Sequence, residues 1–518
     1  MDSKEIIEKR KNNLKKKIFG KFSSNYDWVA LVIIIFAAAF RYYYLLKTKS
    51  QAIWFDEGAY ITLAKNFALG TPVFYEPHRD WFVSAIWSVF IKLGAGEMFL
   101  RFFTVSLGIA TLYFFYVLVS HFFGKKIALF SMIFAAVFSE SIFWSLRLDV
   151  GTYAMFFAMV SFVCFFKGIE SKKLSLLLTS SAFAAFALMA HGAGILVPLF
   201  YIVFISIYSR FKFYKSKKFW MCLGLFILIL SPYLIRNLIS FGSIYPRFFS
   251  GPIGDVGSHA WNISGSFQYV TTIPAVIGII AFILFLVGFF ISSEILLGID
   301  HIFKIKISKD LLGKIFFIIL GLMSLASGMF LIASNTGFYF EPRFIIHFYF
   351  SAFVFASIGL NYLANYLKKH SKTITFLIIF SIFAFISYSQ LTSTADLINE
   401  KSLGYQDIKQ GGLWLKQNAP AGSKVMTFEP PQIIYYSDLQ AIKVPNSNER
   451  ILNDLNKEKP QFLILWAGVS SSPEEISRIS QLIEETNNTI FPVAAFPSTN
   501  QPTLIIYKID SLFYNNSR

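Results

Sequence analysis

The sequence predicts a polytopic α-helical membrane protein that ends in a soluble α/β domain. Hydrophobic residues make up 55% of the 518-residue chain and charged residues only 15%, whereas soluble domains carry about 25% charged residues. Apolar runs of about 18 residues or more, the length that crosses the hydrocarbon core, recur between residues 27 and 390. After residue 390 the composition becomes mixed in polarity and richer in turn residues, which indicates that the membrane-spanning part ends there.

The apolar runs give about eleven candidate spans. Their approximate bounds are 28–46, 98–120, 127–144, 152–167, 175–190, 194–209, 219–236, 271–293, 312–334, 344–366 and 373–390. Residues 1–27 are basic and precede a span that is too long for a cleavable signal peptide, so we interpret this segment as a retained cytoplasmic signal anchor. Residues 28–390 form the transmembrane domain, and an odd number of crossings places residues 391–518 outside.

Lysine-rich connections support this orientation. With the N-terminus in the cytoplasm, every strong lysine cluster falls on the cytoplasmic side, as the positive-inside rule requires. The clusters are Lys125-Lys126, Lys167 with Lys172-Lys173, residues 210–218, residues 304–314, and Lys368-Lys369 with Lys372. The net charge of +17 is therefore attributed to membrane topology, and no nucleic-acid partner is expected.

One apolar segment, 81–94, is short for a span. Counting it as a span would also place the later lysine clusters outside. We therefore predict that 57–69 and 81–94 are helices on the outer membrane surface, within one long external loop, 47–97.

The last 128 residues predict a small extracytoplasmic α/β domain. Its helices are expected at 404–418, 447–456 and 473–486, and its strands at 424–428, 461–466, 490–496 and 502–508. Asn418–Gly422 and the Glu429-Pro430-Pro431 stretch are interpreted as turns. Two roles remain open: the domain shapes access of an acceptor, or it is mainly structural.

Ionisable residues collect at the outer ends of the predicted spans. Asp56 and Glu57 begin the external loop, and the others are Arg41, Arg101, Glu140, Arg147, Asp149, His191, Arg236, Arg343 and His347. Such groups at membrane depth mark functional sites, although a single arginine can simply snorkel to the interface. Carboxylates beside several arginines suit a substrate that carries both sugar and phosphate, because guanidinium groups bind phosphate through paired hydrogen bonds.

At these residues the chain resembles the dolichyl-phosphate-mannose protein mannosyltransferase superfamily, which includes the aminoarabinose transferases of lipid A and has the GT-C fold. The motifs, in the family's order, are Asp56-Glu57-Gly58-Ala59-Tyr60, Phe74-Tyr75-Glu76-Pro77, Ser145-Leu146-Arg147-Leu148-Asp149, His191-Gly192, Pro232-Tyr233-Leu234-Ile235-Arg236-Asn237, Phe241-Gly242, Tyr245-Pro246 and Glu341-Pro342-Arg343-Phe344. The second motif departs from the family, since His78 and Arg79 follow where a lysine is usual.

The resemblance implies an inverting transfer of one sugar from a polyprenyl-phosphate donor to a hydroxyl of a glycan, lipid or protein, outside a prokaryotic plasma membrane. It implies Asp56 as general base, Glu57 as its helper and Glu76 as a second acid. Donor phosphate or sugar is expected to contact Arg147, Arg236, Arg343, Arg79, His191 and Tyr60. A divalent cation, Mg²⁺ or Mn²⁺, is left open, with Asp56 and Glu76 as its ligands if one is used.

Other functions remain open at this point. An oligosaccharyltransferase or glycan ligase would have similar architecture, but its Trp-Trp-Asp-Tyr-Gly motif is absent. A lipid-linked sugar transporter would place ionisable groups near the bilayer centre and interrupt helices in repeated halves. His191 could instead be a hydrogen-bonded packing residue, and Asp149 could cap the helix that follows it.

Overall fold

The computed structural model describes residues 25–76, 79–209, 211–244, 263–297, 308–333, 340–445, 447–468, 473–484, 489–497 and 502–516. Most of the basic N-terminus (1–24), the residues Pro77 and His78, and the Tyr245-Pro246 pair lie outside this part. The chain divides into two compact units. The helical unit contains 1–45, 102–146 and 150–396, and the mixed unit contains 46–101, 147–149 and 397–518.

The first half of the chain forms a series of mostly apolar helices. They are α1 (Asn25–Lys47), α2 (Phe55–Leu69), α3 (Phe82–Lys92), α4 (Glu97–Val137), α5 (Ser139–Ser145), α6 (Val150–Ser171), α7 (Leu174–Ala190), α8 (Leu196–Tyr208) and α9 (Lys217–Phe241). The predicted helices at 57–69 and 81–94 are confirmed as α2 and α3. The left-handed backbone at Gly70, with φ of 70°, ends α2.

The later helices complete the membrane region. Three short helical turns between Ile263 and Ile277 precede α10 (Ile279–Leu297), α11 (Lys309–Ala333), α12 (Ile346–Lys368) and α13 (Lys372–Ser402). Since α13 continues past residue 390 to Ser402, the change in composition at that position falls within a helix and not at its end.

Seven described helices are long and apolar enough to cross a membrane, or eight if one bent pair forms a single span. The larger sequence-based number has identifiable sources. The 41-residue helix α4 contains a non-helical residue, Gly124, between the two predicted spans 98–120 and 127–144. Two other predicted spans correspond to shorter apolar helices, Leu174–Ala190 and Gly192–Tyr208. The chain is therefore a polytopic membrane protein.

Helices α10 and α12 make a very close contact through glycines. A Cβ atom on Gly288 would collide with the carbonyl oxygen of Phe355, and one on Gly359 would collide with that of Leu284. Small residues of this kind allow two membrane helices to approach until their backbones touch. Aromatic side chains then fill the surroundings, with the rings of Phe289 and Phe355 5.6 Å apart.

The mixed unit is built on a five-stranded sheet with the order β2-β1-β3-β5-β4. Its elements are α14 (Gln406–Asn418), β1 (Lys424–Thr427), α15 (Pro430–Ser437), β2 (Gln440–Lys443), α16 (Asn448–Glu458), β3 (Phe462–Trp466), α17 (Pro473–Glu484), β4 (Ile490–Phe496), β5 (Leu504–Ile509) and α18 (Ser511–Asn516). Strands β2, β1 and β3 are parallel, whereas β5 is antiparallel to β3 and β4.

All five residues of the central strand β3 are buried. Phe462 and Ile464 belong to an apolar cluster on one face of the sheet, and Leu463 and Leu465 belong to another cluster on the opposite face. A strand covered on both faces reads as a continuous apolar run, which is why β3 is predictable from the sequence.

The predicted α/β domain is confirmed, but three of its elements, α15, β2 and α18, were not predicted. The stretch beginning at Glu429, interpreted as a turn, is the helix α15 with prolines at its first positions. Proline is accepted there because the first turn of a helix needs no amide donor. Strand β2 was not predicted, since its four residues are only partly buried and give little alternation.

Replacing Gly359 with leucine should destabilise the helical unit, because the new side chain forces α10 and α12 apart. Overpacking of this kind costs about 1–3 kcal/mol, which corresponds to a lower Tm in detergent. The matched control is Gly224→Leu in α9, where a Cβ atom would meet nothing within 4 Å. Equal Tm values for the two variants would contradict the glycine contact.

Candidate active site

The start of helix α2 carries the two adjacent acids. Asp56 and Glu57 lie in its first turn, where the exposed backbone amides and the helix dipole favour negative charge. The amide of Trp54 donates a hydrogen bond of 2.7 Å to the Glu57 carboxylate, which closes the helix start. Consecutive residues of a helix point about 100° apart, and the two carboxylates accordingly enter different surroundings.

Glu57 is buried, and both of its carboxylate oxygens are bound by neighbouring groups. Its Oε1 accepts a 2.8 Å hydrogen bond from the amide of Leu148, and its Oε2 forms an ion pair with Arg147. Burial alone raises the pKa of Glu57, but the charges of Arg147 and Arg101 and the two backbone amides outweigh it. The net effect holds the pKa of Glu57 below its ordinary value, so this residue is an ionised anchor.

Arg147 is fixed on several sides. Besides Glu57, it donates a 3.2 Å hydrogen bond to the carbonyl oxygen of Ala52, and its guanidinium lies 4.4 Å from the ring centre of Trp54. Only 1% of Arg147 is exposed. The sequence assigned Arg147 to donor phosphate, and the structure pairs it with a carboxylate of the loop.

Asp56 belongs to a second charged cluster, which contains Asp56, Glu76 and Arg79. One Asp56 oxygen lies 2.9 Å from Arg79 Nη1, and Arg79 Nε donates to Glu76 in a close ion pair. The Asp56 side chain is 47% exposed, whereas Glu76 is only 14% exposed. Of the two acids in the cluster, Asp56 is thus the one open to a reactant.

Aromatic rings support the guanidinium of Arg79. Its carbon lies 5.2 Å from the ring centre of Phe55 and 5.6 Å from that of Tyr60. Burial lowers the pKa of Arg79, but Asp56, Glu76 and Tyr60 together raise it above its ordinary value. Arg79 therefore stays charged and pairs with the two carboxylates, and the donor contact expected of it from the sequence stays a prediction.

The arrangement of these acids does not favour a divalent cation. Hard cations take six or more oxygen ligands, and the guanidinium of Arg79 already occupies the space between Asp56 and Glu76. Within the described ranges, no group of three or more His, Cys, Asp or Glu side chains is placed to hold a metal ion. No step of the reaction is therefore assigned to a metal.

Three predicted site residues lie in the helical unit. Arg343 forms an ion pair with Glu341, and its guanidinium lies 4.0 Å from the ring centre of Trp144. Arg236 follows Pro232 in α9 and lies 5.0 Å from the ring centre of Phe241. The Nδ1 atom of His191 accepts a 3.1 Å hydrogen bond from the amide of Ala193, so His191 caps the turn that follows α7.

The partners of two arginines, Arg343 and Arg101, were not singled out from the sequence. Trp144 supports Arg343, and Glu97 forms a 2.7 Å ion pair with Arg101. The spacing of Glu97 and Arg101, four residues apart on one helix, could have indicated their pairing. The contact of Trp144 with Arg343 spans many residues and has no local signal.

Glu57→Gln should destabilise the mixed unit, because it leaves the buried Arg147 without a counter-charge. Breaking a buried ion pair costs about 3–5 kcal/mol, and the Tm in detergent should fall accordingly. Asp56→Asn is the matched control, with the same isosteric change one residue earlier at a half-exposed position. Equal Tm values for the two variants would contradict the anchoring role of Glu57.

The same pair gives an expected pH dependence. Since the folded pKa of Glu57 lies below its unfolded value, the stability it provides is fully present above about pH 4.3. It is lost as the pH falls through the folded pKa. Glu57→Gln should therefore flatten the acid limb of a Tm-against-pH curve.

Residues 76–235 match the family profile described as dolichyl-phosphate-mannose-protein mannosyltransferase. The matched stretch contains Glu76, Arg79, Arg147 and His191 and ends just before Arg236. No curated protein matches the chain.

Solved structures share the fold at low sequence identity. ArnT from Cupriavidus metallidurans bound to undecaprenyl phosphate has a TM-score of 0.62 and 10% identity, covering 95% of this chain and 99% of that one. The Archaeoglobus fulgidus oligosaccharyltransferase complex with zinc and sulfate has a TM-score of 0.57 and 11% identity, covering 93% and 73%. The archaeal oligosaccharyltransferase AglB from the same organism, with an inhibitory peptide and a dolichol-phosphate, has a TM-score of 0.58 and 11% identity, covering 96% and 77%.

These structures establish the GT-C fold, and the family match adds a sequence relationship over residues 76–235, which begins after Asp56 and Glu57. The expectation drawn from the motifs is confirmed in both respects. The chain is a polytopic membrane protein with the GT-C fold, and its residues 76–235 match the family profile described as dolichyl-phosphate-mannose-protein mannosyltransferase.

Proposed function

We propose that this protein transfers a sugar from a polyprenyl-phosphate donor to an acceptor hydroxyl, with inversion at the anomeric carbon and Asp56 as the general base. One observation carries the assignment of the base. Glu57 is buried and saturated by Arg147 and two amides, whereas Asp56 is about half exposed and is held in place by Arg79.

The chemistry needs few groups. Asp56 accepts the proton of the acceptor hydroxyl, whose oxygen then forms a bond to the anomeric carbon. The bond from that carbon to the phosphate oxygen breaks on the opposite face, and the lipid phosphate leaves as an anion. The proton on Asp56 is later lost to water. General-base catalysis of this kind contributes about 10²- to 10⁴-fold to a rate.

Arg79 suits the role of orienting Asp56. The guanidinium is held between Asp56 and Glu76 and against two aromatic rings, so the direction of the Asp56 carboxylate is restricted. Glu76 then acts as the fixed counter-charge of Arg79, and Tyr60 as part of its support. Preorganisation of a reactive group lowers the cost of reaching the transition state.

Arg236 and Arg343 are the proposed ligands of the donor phosphate. His191, which belongs to another of the family motifs, is proposed as a further donor contact. Guanidinium groups stabilise a leaving phosphate because they stay charged and bind two oxygens at once. ArnT was solved with undecaprenyl phosphate bound and AglB with a dolichol-phosphate, which supports a polyprenyl-phosphate donor for this chain. The acceptor is proposed to be a glycan, lipid or protein outside a prokaryotic plasma membrane.

A second candidate function is oligosaccharide transfer, because the archaeal oligosaccharyltransferases share the fold. The two candidates differ in the product. A single-sugar transferase adds one residue to a hydroxyl, whereas an oligosaccharyltransferase moves a preassembled chain. Mass spectrometry of cell-surface glycans with and without this gene distinguishes a one-sugar mass difference from the loss of a whole oligosaccharide.

Asp56→Asn should abolish product formation while the protein stays folded, because the amide cannot accept the hydroxyl proton. The expected loss is about 10²-fold or more. The measurement is the glycan product that disappears from cells lacking the gene, together with the Tm of the purified variant. Asp454→Asn in α16 is the matched control, and near-normal product from Asp56→Asn would remove Asp56 as the base.

Arg236→Ala should weaken the binding of undecaprenyl phosphate by about tenfold, the effect of losing one hydrogen bond to a charged group. Binding can be measured by native mass spectrometry of the purified protein. Arg450→Ala, at an exposed position of α16, controls for the loss of one positive charge. Unchanged binding in both variants would exclude Arg236 as a phosphate ligand.

A further inference from the structure

The backbone just before helix α2 is held by two side chains of helix α15. The amide of Ile53 donates a 2.8 Å hydrogen bond to the hydroxyl of Tyr436, and the side-chain amide of Gln432 donates a 3.2 Å hydrogen bond to the Ile53 carbonyl oxygen. Ile53 itself is completely buried. We call Gln432 and Tyr436 together the Ile53 clamp.

The residues on either side of Ile53 are also held by side-chain hydrogen bonds. The carbonyl of Ala52 accepts from Arg147, and the amide of Trp54 donates to Glu57. Three consecutive residues, 52–54, thus have their main-chain groups bound by side chains from 57, 147, 432 and 436. Buried main-chain groups need such partners, and a segment bound at each residue has little freedom to move.

Helix α15 also contacts α2 directly at Gly58. A Cβ atom on Gly58 would lie 3.1 Å from the backbone nitrogen of Gln432 and 3.1 Å from the carbonyl carbon of Pro431. On another side, a Cβ atom on Gly412 of α14 would lie 2.6 Å from the Cβ of Tyr436. The side chains of the clamp therefore project from a helix that is itself packed between α14 and α2.

We propose that the α/β domain acts in catalysis through this clamp, with Gln432 and Tyr436 as positioning residues for Asp56. The proposal rests on the proposed function of Asp56 as the base. Asp56 lies three residues after Ile53, at the first turn of the helix whose start the clamp fixes. Both hydrogen bonds of the clamp are to main-chain atoms of Ile53, so its effect on Asp56 passes through the backbone at residues 53–56.

This positioning role differs from both of the roles that the sequence left open for the domain. A domain that only shaped acceptor access would not need to bind the main chain of the acidic loop. A domain that only added stability would not need two buried polar side chains on the main chain of the residue that lies three positions before the base. The buried side chains of Gln432 and Tyr436, 0% and 7% exposed, bind the carbonyl and the amide of the same residue, Ile53.

The test uses Gln432→Met and Tyr436→Phe in the full-length protein, each of which removes one hydrogen bond and preserves side-chain volume. Tyr514→Phe is the matched control, because its hydroxyl also donates to a main-chain oxygen, that of Pro460, in the same domain. Hydrogen–deuterium exchange of purified protein in detergent reports on the peptide covering residues 52–58. Product in cells and binding of undecaprenyl phosphate report on function.

We expect faster exchange at residues 52–58 in both clamp variants and unchanged exchange there in Tyr514→Phe. Product should fall about tenfold or more, since small displacements of a reacting group are costly, while undecaprenyl phosphate binding stays within twofold of the wild type. A lower Tm with equal product would mean a structural role only and would overturn the proposal. So would unchanged exchange at residues 52–58 in both variants.

The test separates this proposal from that of the base. If Asp56→Asn abolishes product and both clamp variants retain it, the clamp is not a positioning device and Asp56 remains the base. If Asp56→Asn retains product, the base assignment fails, and a loss of product in the clamp variants cannot then be attributed to Asp56. Loss in all three variants, with faster exchange only in the clamp variants, supports both proposals.

Discussion

The buried ion pair between Glu57 and Arg147 is the interaction on which the acidic loop depends. An isolated carboxylate or guanidinium would be very costly away from water, so each requires the other. Because Glu57 also binds the amides of Trp54 and Leu148, one side chain joins the start of α2 to the segment at residues 147–149. These contacts of Glu57 also fix the position of Asp56, since Asp56 is the residue before Glu57 on the same helical turn.

The two adjacent acids differ in burial and in their binding partners. The buried acid accepts hydrogen bonds from three donors and is closed off from solvent, while the half-exposed acid is oriented by a guanidinium between two carboxylates. Adjacent positions on a helix point in different directions, so a pair of acids side by side in sequence can provide one anchor and one reactive group. The proposed mechanism requires this division, because a base must be accessible and yet fixed in direction.

The mixed unit shows how a small α/β domain can take part in such a site. Its sheet gives rigidity, and helix α15 presents Gln432 and Tyr436 to the peptide at Ile53. The glycines at 58 and 412 let the neighbouring helices approach α15 closely. Stability and positioning have the same source here, since close helix packing also restricts the motion of the bound peptide.

The sequence by itself determined the membrane class, the two helices within the loop 47–97, the central strand β3 and the family resemblance. The first three depend on local composition and periodicity, which can be read directly from the sequence, whereas the resemblance depends on short motifs that occur in the family's order. It also placed Asp56 and Glu57 together but could not assign them different roles.

The tertiary structure decided that Arg79 and Arg147 pair with carboxylates, that Glu429-Pro430-Pro431 starts a helix, and that Gln432 and Tyr436 bind Ile53. Such contacts join residues far apart in the chain, and the partner of a buried charge is set by packing, which local sequence does not encode.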